Sequence, residues 1–218
     1  TKTEEVLDSQ NIGWSGRPGT YSSKAVSGVQ IAFIAFHSGG YCNSSLDLEN
    51  AAEMVSNLKL DHDIVVVSIH GGAEGLAAMH LPDSIEYYLG ENRGHMIEFS
   101  HRMIDAGADL IMGHGPHIAR AMELYKGKLV AYSLANFATY GRFNLQAERR
   151  FGAVLDIKLS QDGDLLGARI ISIEQKYWGV PFVDKEHRFS HLVDSLSAAD
   201  LPLSGARFKS DGTLILAD

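Results

Sequence analysis

The chain has 218 residues, of which 45% are hydrophobic and 21% are charged, and its formal net charge is −8. This composition is ordinary for a folded globular domain. The negative charge argues against nucleic acid as a partner, because phosphate backbones are bound by basic faces. The single cysteine, Cys42, excludes an intrachain disulfide and a thiolate zinc site. No apolar run is long enough to span a membrane.

The first part of the chain alternates helical patterns with short apolar runs. The predicted elements are a helix at 2–9, a turn-rich loop at 11–24, a strand at 29–36, a helix at 47–58, a strand at 64–69, a helix at 91–106 and a strand at 109–112. Strands that alternate with helices are typical of a parallel sheet with covering helices.

The pattern changes after the third strand. Residues 121–137 predict a hairpin that turns at Lys126-Gly127, and residues 153–173 predict another that turns at Asp162-Gly163. A short amphipathic helix at 186–198 and a final edge strand, TLILA at 213–217, complete the prediction. An α/β front and an antiparallel back together indicate an α+β fold with mixed sheets.

Polar side chains that can bind metal follow the predicted strands. His37 follows the first strand, His70 the second, and His114 and His117 the third, while the later segment LVAYSLANF carries Asn136. Ligands gather beyond the carboxyl ends of parallel strands. Imidazole is a common metal ligand, and a carboxamide oxygen can bind metal or phosphate. The strand ends therefore predict a metal site.

The segment GHGPH carries the best local evidence for this site. Gly115 permits an unusual backbone conformation and Pro116 fixes one φ angle, so the two imidazoles point in defined directions. An H-x-x-H loop also occurs without metal, and it is the combination with His70 that favours a metal site. His37, as a single histidine after a strand, is interpreted as a hydrogen-bonded loop residue.

The other polar features give weaker evidence for a functional site. HGGAEG, residues 70–75, lacks the lysine and hydroxyl of a P-loop, so its glycines are interpreted as allowing close approach of the backbone to a ligand. His80 follows this loop and can fold back toward it. The remaining histidines are assigned to helix faces or solvent: His62, His95, His101, His187 and His191.

The motifs HGGAEG, GADLIMGHGPH, SLANF and TYGRFN together resemble the CapA family of bacterial capsule and poly-γ-glutamate synthesis proteins, over roughly residues 29–144. That family belongs to the calcineurin-like metallophosphoesterase superfamily. The resemblance implies an α+β fold, a metallophosphoesterase-like sandwich of mixed β-sheets flanked by helices. It implies one CapA-like domain over 1–218, with an α/β part at 1–140 and an antiparallel part and tail at 141–218. It also favours a location in the cell envelope.

The resemblance also implies a one- or two-metal centre holding divalent ions of the Zn, Mn or Fe type. His70, His114 and His117 correspond to metal ligands, with His114 either a ligand or the general acid. Asn136 would orient the substrate. Glu74 and Glu123 would fix the imidazoles from behind. The substrate would be an anionic phosphoester, either a small molecule or a group linked to a polymer.

The sequence also departs from the family pattern. Many relatives have a histidine at the position of Gly115 and a glycine at that of Ala135. Relatives begin with Gly-Asp and Asn-rich segments that supply further ligands, and here Thr1 falls after them. The fold is therefore expected to be incomplete at its N-terminus, with weak metal binding and negligible activity. Supplying the upstream segment is expected to restore both, and the chain is expected to associate with that segment or with a second copy.

Two functions fit these features. The first is a metal-dependent phosphoesterase-like hydrolase that takes part in exopolymer synthesis. The second is a non-catalytic binding or assembly component of an exopolymer machine, since a fold does not determine a function. A dehydrogenase or transferase has no supporting fingerprint, because no G-x-G-x-x-G motif is present.

Overall fold

The computed structural model describes residues 1–141 and 143–216. Arg142 of the TYGRFN motif and Ala217 of the TLILA segment lie outside the described residues, as does Asp218. The helices are α1 (Lys2–Ser9), α2 (Leu48–Asp61), α3 (Met96–Asp105) and α4 (Arg188–Asp200). The strands of the largest sheet are β1 (Ser22–Val26), β2 (Val29–His37), β3 (Ile64–His70), β6 (Leu110–His114), β7 (Met122–Tyr125) and β8 (Lys128–Ala131).

This sheet has six strands in the order β1-β2-β3-β6-β8-β7. Strands β2, β3, β6 and β8 run parallel to one another, and β1 and β7 pair antiparallel at the two edges. The parallel strands end at one edge of the sheet, which is where α/β proteins bind their ligands.

The remaining strands form smaller antiparallel units. They are β4 (Glu86–Tyr88) with β5 (Glu91–Gly94), β9 (Phe151–Leu159) with β10 (Leu165–Lys176) and β11 (Val180–Val183), and β12 (Arg207–Phe208) with β13 (Leu214–Ile215). β10 is the central strand of its three-stranded sheet. The hairpin turns predicted at Lys126-Gly127 and Asp162-Gly163 are confirmed.

Local sequence explains the helices that cover one face of the large sheet. Asp47 caps α2 by accepting a hydrogen bond from the N–H of Asn50, and α2 buries Val55. α3 buries Phe99 and Met103 on a single face, and Phe99 packs edge-to-face against Phe36 of β2. Isoleucines and valines of the parallel strands complete this core.

Two predicted elements were wrong at their boundaries. The helix predicted at 91–106 begins only at Met96, because residues 91–94 form β5 and pair with β4 around a turn at Leu89-Gly90. The loop predicted at 11–24 ends in the edge strand β1, whose Ser22 pairs with Phe33. β1 has too few apolar residues for its sequence to predict a strand. It is a strand because it pairs with β2.

The predicted α+β class, with mixed sheets flanked by helices, is confirmed. Within the described ranges, none of the helices has both the length and the apolar character needed to cross a membrane.

Candidate functional site

Three histidines lie side by side at the ends of three neighbouring parallel strands. His37 is the register partner of His70, and His70 is the register partner of His114. Register partners in parallel strands point to the same face of a sheet, and neighbouring strands lie about 4.8 Å apart. The rings of His37 and His70 stack with their centroids 5.1 Å apart. His37, interpreted from the sequence as a loop residue, therefore belongs to this cluster.

His117 joins the cluster from the loop that follows β6. Its ring lies edge-on to that of His70, with the centroids 6.1 Å apart. The loop needs Gly115, because a Cβ there would lie 2.4 Å from the carbonyl oxygen of Gly71 and because its φ is +120°. His117 itself has a φ of +57°, a left-handed conformation that is unusual outside glycine. Strain of this kind concentrates at functional sites.

A hydrogen bond fixes the tautomer of His117. Nδ1 of His117 lies 2.7 Å from Oδ1 of Asn136. An amide oxygen only accepts, so Nδ1 carries the proton and donates it, and Nε2 keeps its lone pair. The lone pair suits Nε2 for metal binding. Asn136 is held in turn, because Nε2 of Gln175 donates to its main-chain carbonyl at 3.1 Å.

His37 has the opposite tautomer. The main-chain N–H of Gly39 donates to Nδ1 of His37 at 2.6 Å. In the neutral ring, the proton is therefore on Nε2, which becomes a hydrogen-bond donor instead of a metal ligand. The cluster thus combines a ring suited to bind metal, His117, with a ring suited to donate a hydrogen bond, His37.

Glu74 connects the cluster to a buried arginine that the sequence analysis did not single out. Oε1 of Glu74 accepts from Nη2 of Arg93 at 2.9 Å, and Oε2 lies 3.8 Å from Nε2 of His117. Glu74 therefore lies next to the cluster, but it faces Nε2 of His117, the nitrogen suited to bind metal, and it is Asn136 that holds the other side of the ring. The negative charge of Glu74 is already paired with the positive charge of Arg93.

A second buried arginine, Arg120, fixes the two loops that carry Glu74 and His117. Arg120 makes a two-point ion pair with Glu86, and the two side chains are 0% and 3% exposed. Nε of Arg120 also donates to the carbonyl oxygen of Ala78 at 2.7 Å. A charged residue inside the apolar run IARAM was the available sequence signal, because a charge is buried only where a partner meets it.

Three imidazoles of the cluster, those of His37, His70 and His114, are held in the neutral form. Burial first, and then the neighbouring charges of His37 and Arg93, together lower the pKa of His70 to about 4. Burial and then the charge of Arg93 lower the pKa of His37. Burial also lowers the pKa of His114. Neutral imidazoles at pH 7 have lone pairs available for a metal ion.

Glu123 lies away from the cluster. It is the register partner of Val130, which pairs with Ile111, and these residues face α3, opposite to the face of His70 and His114. There its carboxylate accepts hydrogen bonds from Tyr132, Ser204 and His101. Burial and the adjacent carboxylate raise the pKa of Tyr132. The structure gives Glu123 a place in a buried network and does not bring it to the predicted site.

His80, which follows the HGGAEG loop in sequence, also lies apart from the cluster. Its Nδ1 is 2.7 Å from Oδ1 of Asp200, and the same carboxylate accepts from the N–H of Leu81. These contacts attach the segment after HGGAEG to the end of α4, which is a structural role.

The donor set fits a divalent ion of the Zn, Mn or Fe type in its chemistry, since it offers neutral imidazoles with His117 Nε2 oriented by Asn136. In residues 1–141 and 143–216, however, no three His, Cys, Asp or Glu side chains are grouped so that they could hold one ion together. The cluster as it stands therefore offers fewer converging ligands than a closed metal site has.

The same segments that build the cluster match a protein family. The family model described as "Bacterial capsule synthesis protein PGA_cap" matches residues 2–140, which is more than half of the chain. The chain belongs to this family. Membership associates it with bacterial capsule synthesis, and the predicted CapA-type family is thereby confirmed.

PGA_cap relatives are known from several bacteria. The "PGA biosynthesis protein CapA" of Bacillus subtilis (strain 168) is 34% identical over 126 residues, covering 53% of this chain and 30% of that protein. The "Capsule biosynthesis protein CapA" of Bacillus anthracis is 30% identical over 95 residues, covering 44% of this chain and 20% of that protein. The matched segments thus span less than a third of the length of these relatives.

Solved structures are more distant from this PGA_cap chain. A Staphylococcus aureus protein described as a candidate 5'-nucleotidase has a TM-score of 0.42 and 17% identity, covering 82% of this chain and 33% of that one. A likeness at this level carries no statement about activity.

Proposed function

We propose that the chain contributes the histidine half of a metal-dependent phosphoester hydrolase that acts in capsule or poly-γ-glutamate synthesis at the cell envelope. The single observation that supports the proposal most is the register of His37, His70 and His114 across three neighbouring strand ends, with His117 beside them. Four imidazoles rarely meet at one sheet edge for structural reasons alone, because even partly buried polar rings cost free energy when they lack partners.

The metal would be held by His70 and His117, with His114 as a further ligand or as the general acid. A divalent ion bound there would supply Lewis-acid polarisation of a phosphoryl oxygen and an acidified water. Asn136 would keep the His117 ring in the Nδ1–H tautomer and so present its Nε2 lone pair. Glu74 would stay beside that ring, held by Arg93.

The positions of the ring protons support different roles for the histidines. His37 carries its proton on Nε2 and would donate a hydrogen bond, while His70 stays unprotonated at neutral pH because its pKa is lowered to about 4. The substrate would be an anionic phosphoester, either a small molecule or a group linked to the growing polymer. The reaction class itself rests on the resemblance to calcineurin-like metallophosphoesterases.

The alternative is a non-catalytic binding or assembly component of the same exopolymer machinery. It is favoured by the fact that, within the described residues, no group of three or more His, Cys, Asp or Glu is arranged to hold a metal ion. Such a protein would keep the fold and the histidine cluster without turnover.

Hydrolysis of p-nitrophenyl phosphate and bis-p-nitrophenyl phosphate by the full product of the gene distinguishes the two. We expect a rate that depends on added Mn²⁺ or Zn²⁺ and that falls by at least about 100-fold in His70→Asn and His117→Asn, because each variant removes a ligand.

His191→Asn is the matched control, since His191 lies on α4 and its ring bonds to the carbonyl oxygen of Ser210, away from the cluster. It should keep the wild-type rate. Absence of any metal-dependent hydrolysis, together with normal folding, would overturn the enzymatic proposal in favour of the assembly role.

A further inference from the structure

Arg93 is a buried cation whose backbone is attached to the loop that follows His70. It lies on β5, and its carbonyl oxygen accepts a hydrogen bond from the N–H of Gly72 at 2.9 Å. A Cβ at Gly71 would lie only 3.0 Å from the same oxygen, so the two segments pack closely. The side chain of Arg93 is 9% exposed. Its position relative to the histidine cluster is therefore well fixed.

The guanidinium of Arg93 is only partly satisfied by the protein. Nη2 donates to Glu74 at 2.9 Å, and Nη1 reaches Glu91 at 3.3 Å, but Glu91 is 73% exposed and holds it weakly. Nε of Arg93 is buried and has no hydrogen-bond partner among the described residues. A buried N–H without an acceptor is rare, and at a functional site it indicates a place for a ligand atom.

The charge of Arg93 acts on the cluster itself. The hydrogen bond from Gly72 to Arg93 holds Arg93 beside the loop that follows His70. Its Nη2 reaches Glu74, whose other oxygen lies 3.8 Å from Nε2 of His117. Burial is the main cause of the lowered pKa of His37 and of His70, and the charge of Arg93 adds to it at both rings. Neutral imidazoles beside a cation leave a local positive potential, although the chain as a whole carries a net charge of −8. Glu74 offsets part of that charge and lies between Arg93 and His117.

We propose that Arg93 is an anion-binding residue of this site, which uses its free Nε–H and the forked guanidinium to hold a substrate oxyanion beside His37 and His70. Arg suits planar oxyanions because its donors form a rigid fork. The oxyanion belongs either to a phosphoryl group or to a carboxylate of a glutamate polymer. The inference rests on the proposed function only in taking the histidine cluster as the site where substrate is handled.

Titration of the metal-free protein, stripped with EDTA, with inorganic phosphate and separately with γ-glutamyl-glutamate tests this assignment by calorimetry at low ionic strength. We expect Arg93→Gln to weaken binding of the oxyanion that the site recognises by about tenfold or more, the usual consequence of losing a charge-assisted hydrogen bond. Arg102→Gln is the matched control, because Arg102 pairs on the surface with the exposed Glu49. It should bind as the wild type does.

Glu74→Gln separates anion binding from a purely structural role. If Arg93 binds the anion, removing the competing carboxylate leaves the guanidinium free and strengthens binding. If Arg93 only holds Glu74, neither variant changes binding, and the assignment is overturned. It is also overturned if neither probe binds the wild type.

The two probes identify the source of the oxyanion, phosphoryl or carboxylate. The binding is measured without metal and without turnover. The inference about Arg93 would therefore stand even if the protein proved to have no hydrolytic activity. If a well-folded Arg93→Gln keeps the wild-type affinity for whichever probe the wild type binds, this inference alone is refuted.

Discussion

Arg120 and Glu86 face each other inside the protein as a two-point ion pair, with Nη1 donating to Oε1 at 2.7 Å and Nη2 to Oε2 at 2.6 Å. The same two side chains bind the loop after His70, since Nε of Arg120 donates to Ala78 O and the N–H of Ala73 donates to Glu86. The pair thus joins the loop that carries Glu74 to the segment that follows His117.

Removing one partner of this pair should be strongly destabilising. Arg120→Met leaves the Glu86 carboxylate buried without its cation, and we expect the free energy of unfolding to fall by about 3–5 kcal/mol. Urea denaturation at neutral pH measures the change. Arg102→Met, which breaks an exposed pair with Glu49, should cost less than about 1 kcal/mol. Equal losses in the two variants would show that the buried pair is not a special constraint.

Local sequence predicted the strand ends but not how they meet. The apolar runs that stop at His37, His70 and His114 indicated strands and their final residues. The register that makes His37 the partner of His70 depends on pairing between distant segments, which no local pattern encodes. Glu123 was assigned to the site by the family resemblance alone. Its position in sequence did not reveal that it faces α3 until β7 paired with β8.

The buried arginines escaped sequence analysis for a related reason. Arg93 and Arg120 find their carboxylates 19 and 34 residues away, in segments that the chain brings together only after folding. The helix predicted at 91–106 had in addition covered Arg93, so its true position on β5 could not be anticipated. What the sequence did support was the α+β class, most element positions and both hairpin turns.

Asn136 should control the tautomer of His117. With Asn136→Ala the acceptor for Nδ1–H is lost, so the ring should change from the Nδ1–H form to a mixture in which Nε2–H predominates, as in free imidazole. Long-range proton–nitrogen NMR of the metal-free protein reports the two forms directly. Asn50→Ala, on the exposed side of α2, should leave the His117 signals unchanged. Persistence of the Nδ1–H form in Asn136→Ala would contradict the assigned hydrogen bond.

The histidine cluster should make the metal-free protein sensitive to mild acid. The pKa of His70 is lowered from 6.5 to about 4 in the folded state, so between these pH values the unfolded chain binds a proton that the folded chain does not. The free energy of unfolding should therefore fall as pH drops from 6.5 toward 4. His37 and His114 act in the same direction.

Urea denaturation at pH 7 and pH 5 tests this pH dependence. The loss of stability between the two should be smaller in His70→Gln than in the wild type, and His191→Gln should keep the wild-type loss. An identical loss in all three proteins would mean that His70 takes up its proton over the same pH range in the folded chain as in the unfolded chain, contrary to the expectation.

Two hairpin glycines should differ in the cost of an added methyl group. Gly127 and Gly163 have φ angles of +78° and +85°, so alanine is strained at either by about 1–2 kcal/mol. A Cβ at Gly127 meets nothing within 4 Å, whereas at Gly163 it would lie 2.3 Å from Oδ1 of the buried Asp109. Gly163→Ala should therefore cost about 1–3 kcal/mol more than Gly127→Ala. Thermal or urea unfolding measures the difference, and anion binding should be unchanged in both. Equal costs would place Asp109 farther from this turn.

Metal affinity of this chain should be weak. The candidate ligands His70, His114 and His117 bring no negative charge, and the nearby carboxylate of Glu74 is already paired with Arg93, so the charge of a divalent ion is left uncompensated. We expect a dissociation constant of about 1 μM or weaker for Zn²⁺ or Mn²⁺, corresponding to about 8 kcal/mol or less. Calorimetry with elemental analysis measures this affinity.

His117→Ala should abolish the metal binding that remains, because it removes the one ring whose Nε2 lone pair is oriented by Asn136. The control His191→Ala should keep that binding. Stoichiometric, submicromolar binding of two ions by this chain would show that neutral imidazoles suffice and that the pairing of Glu74 with Arg93 does not limit the site.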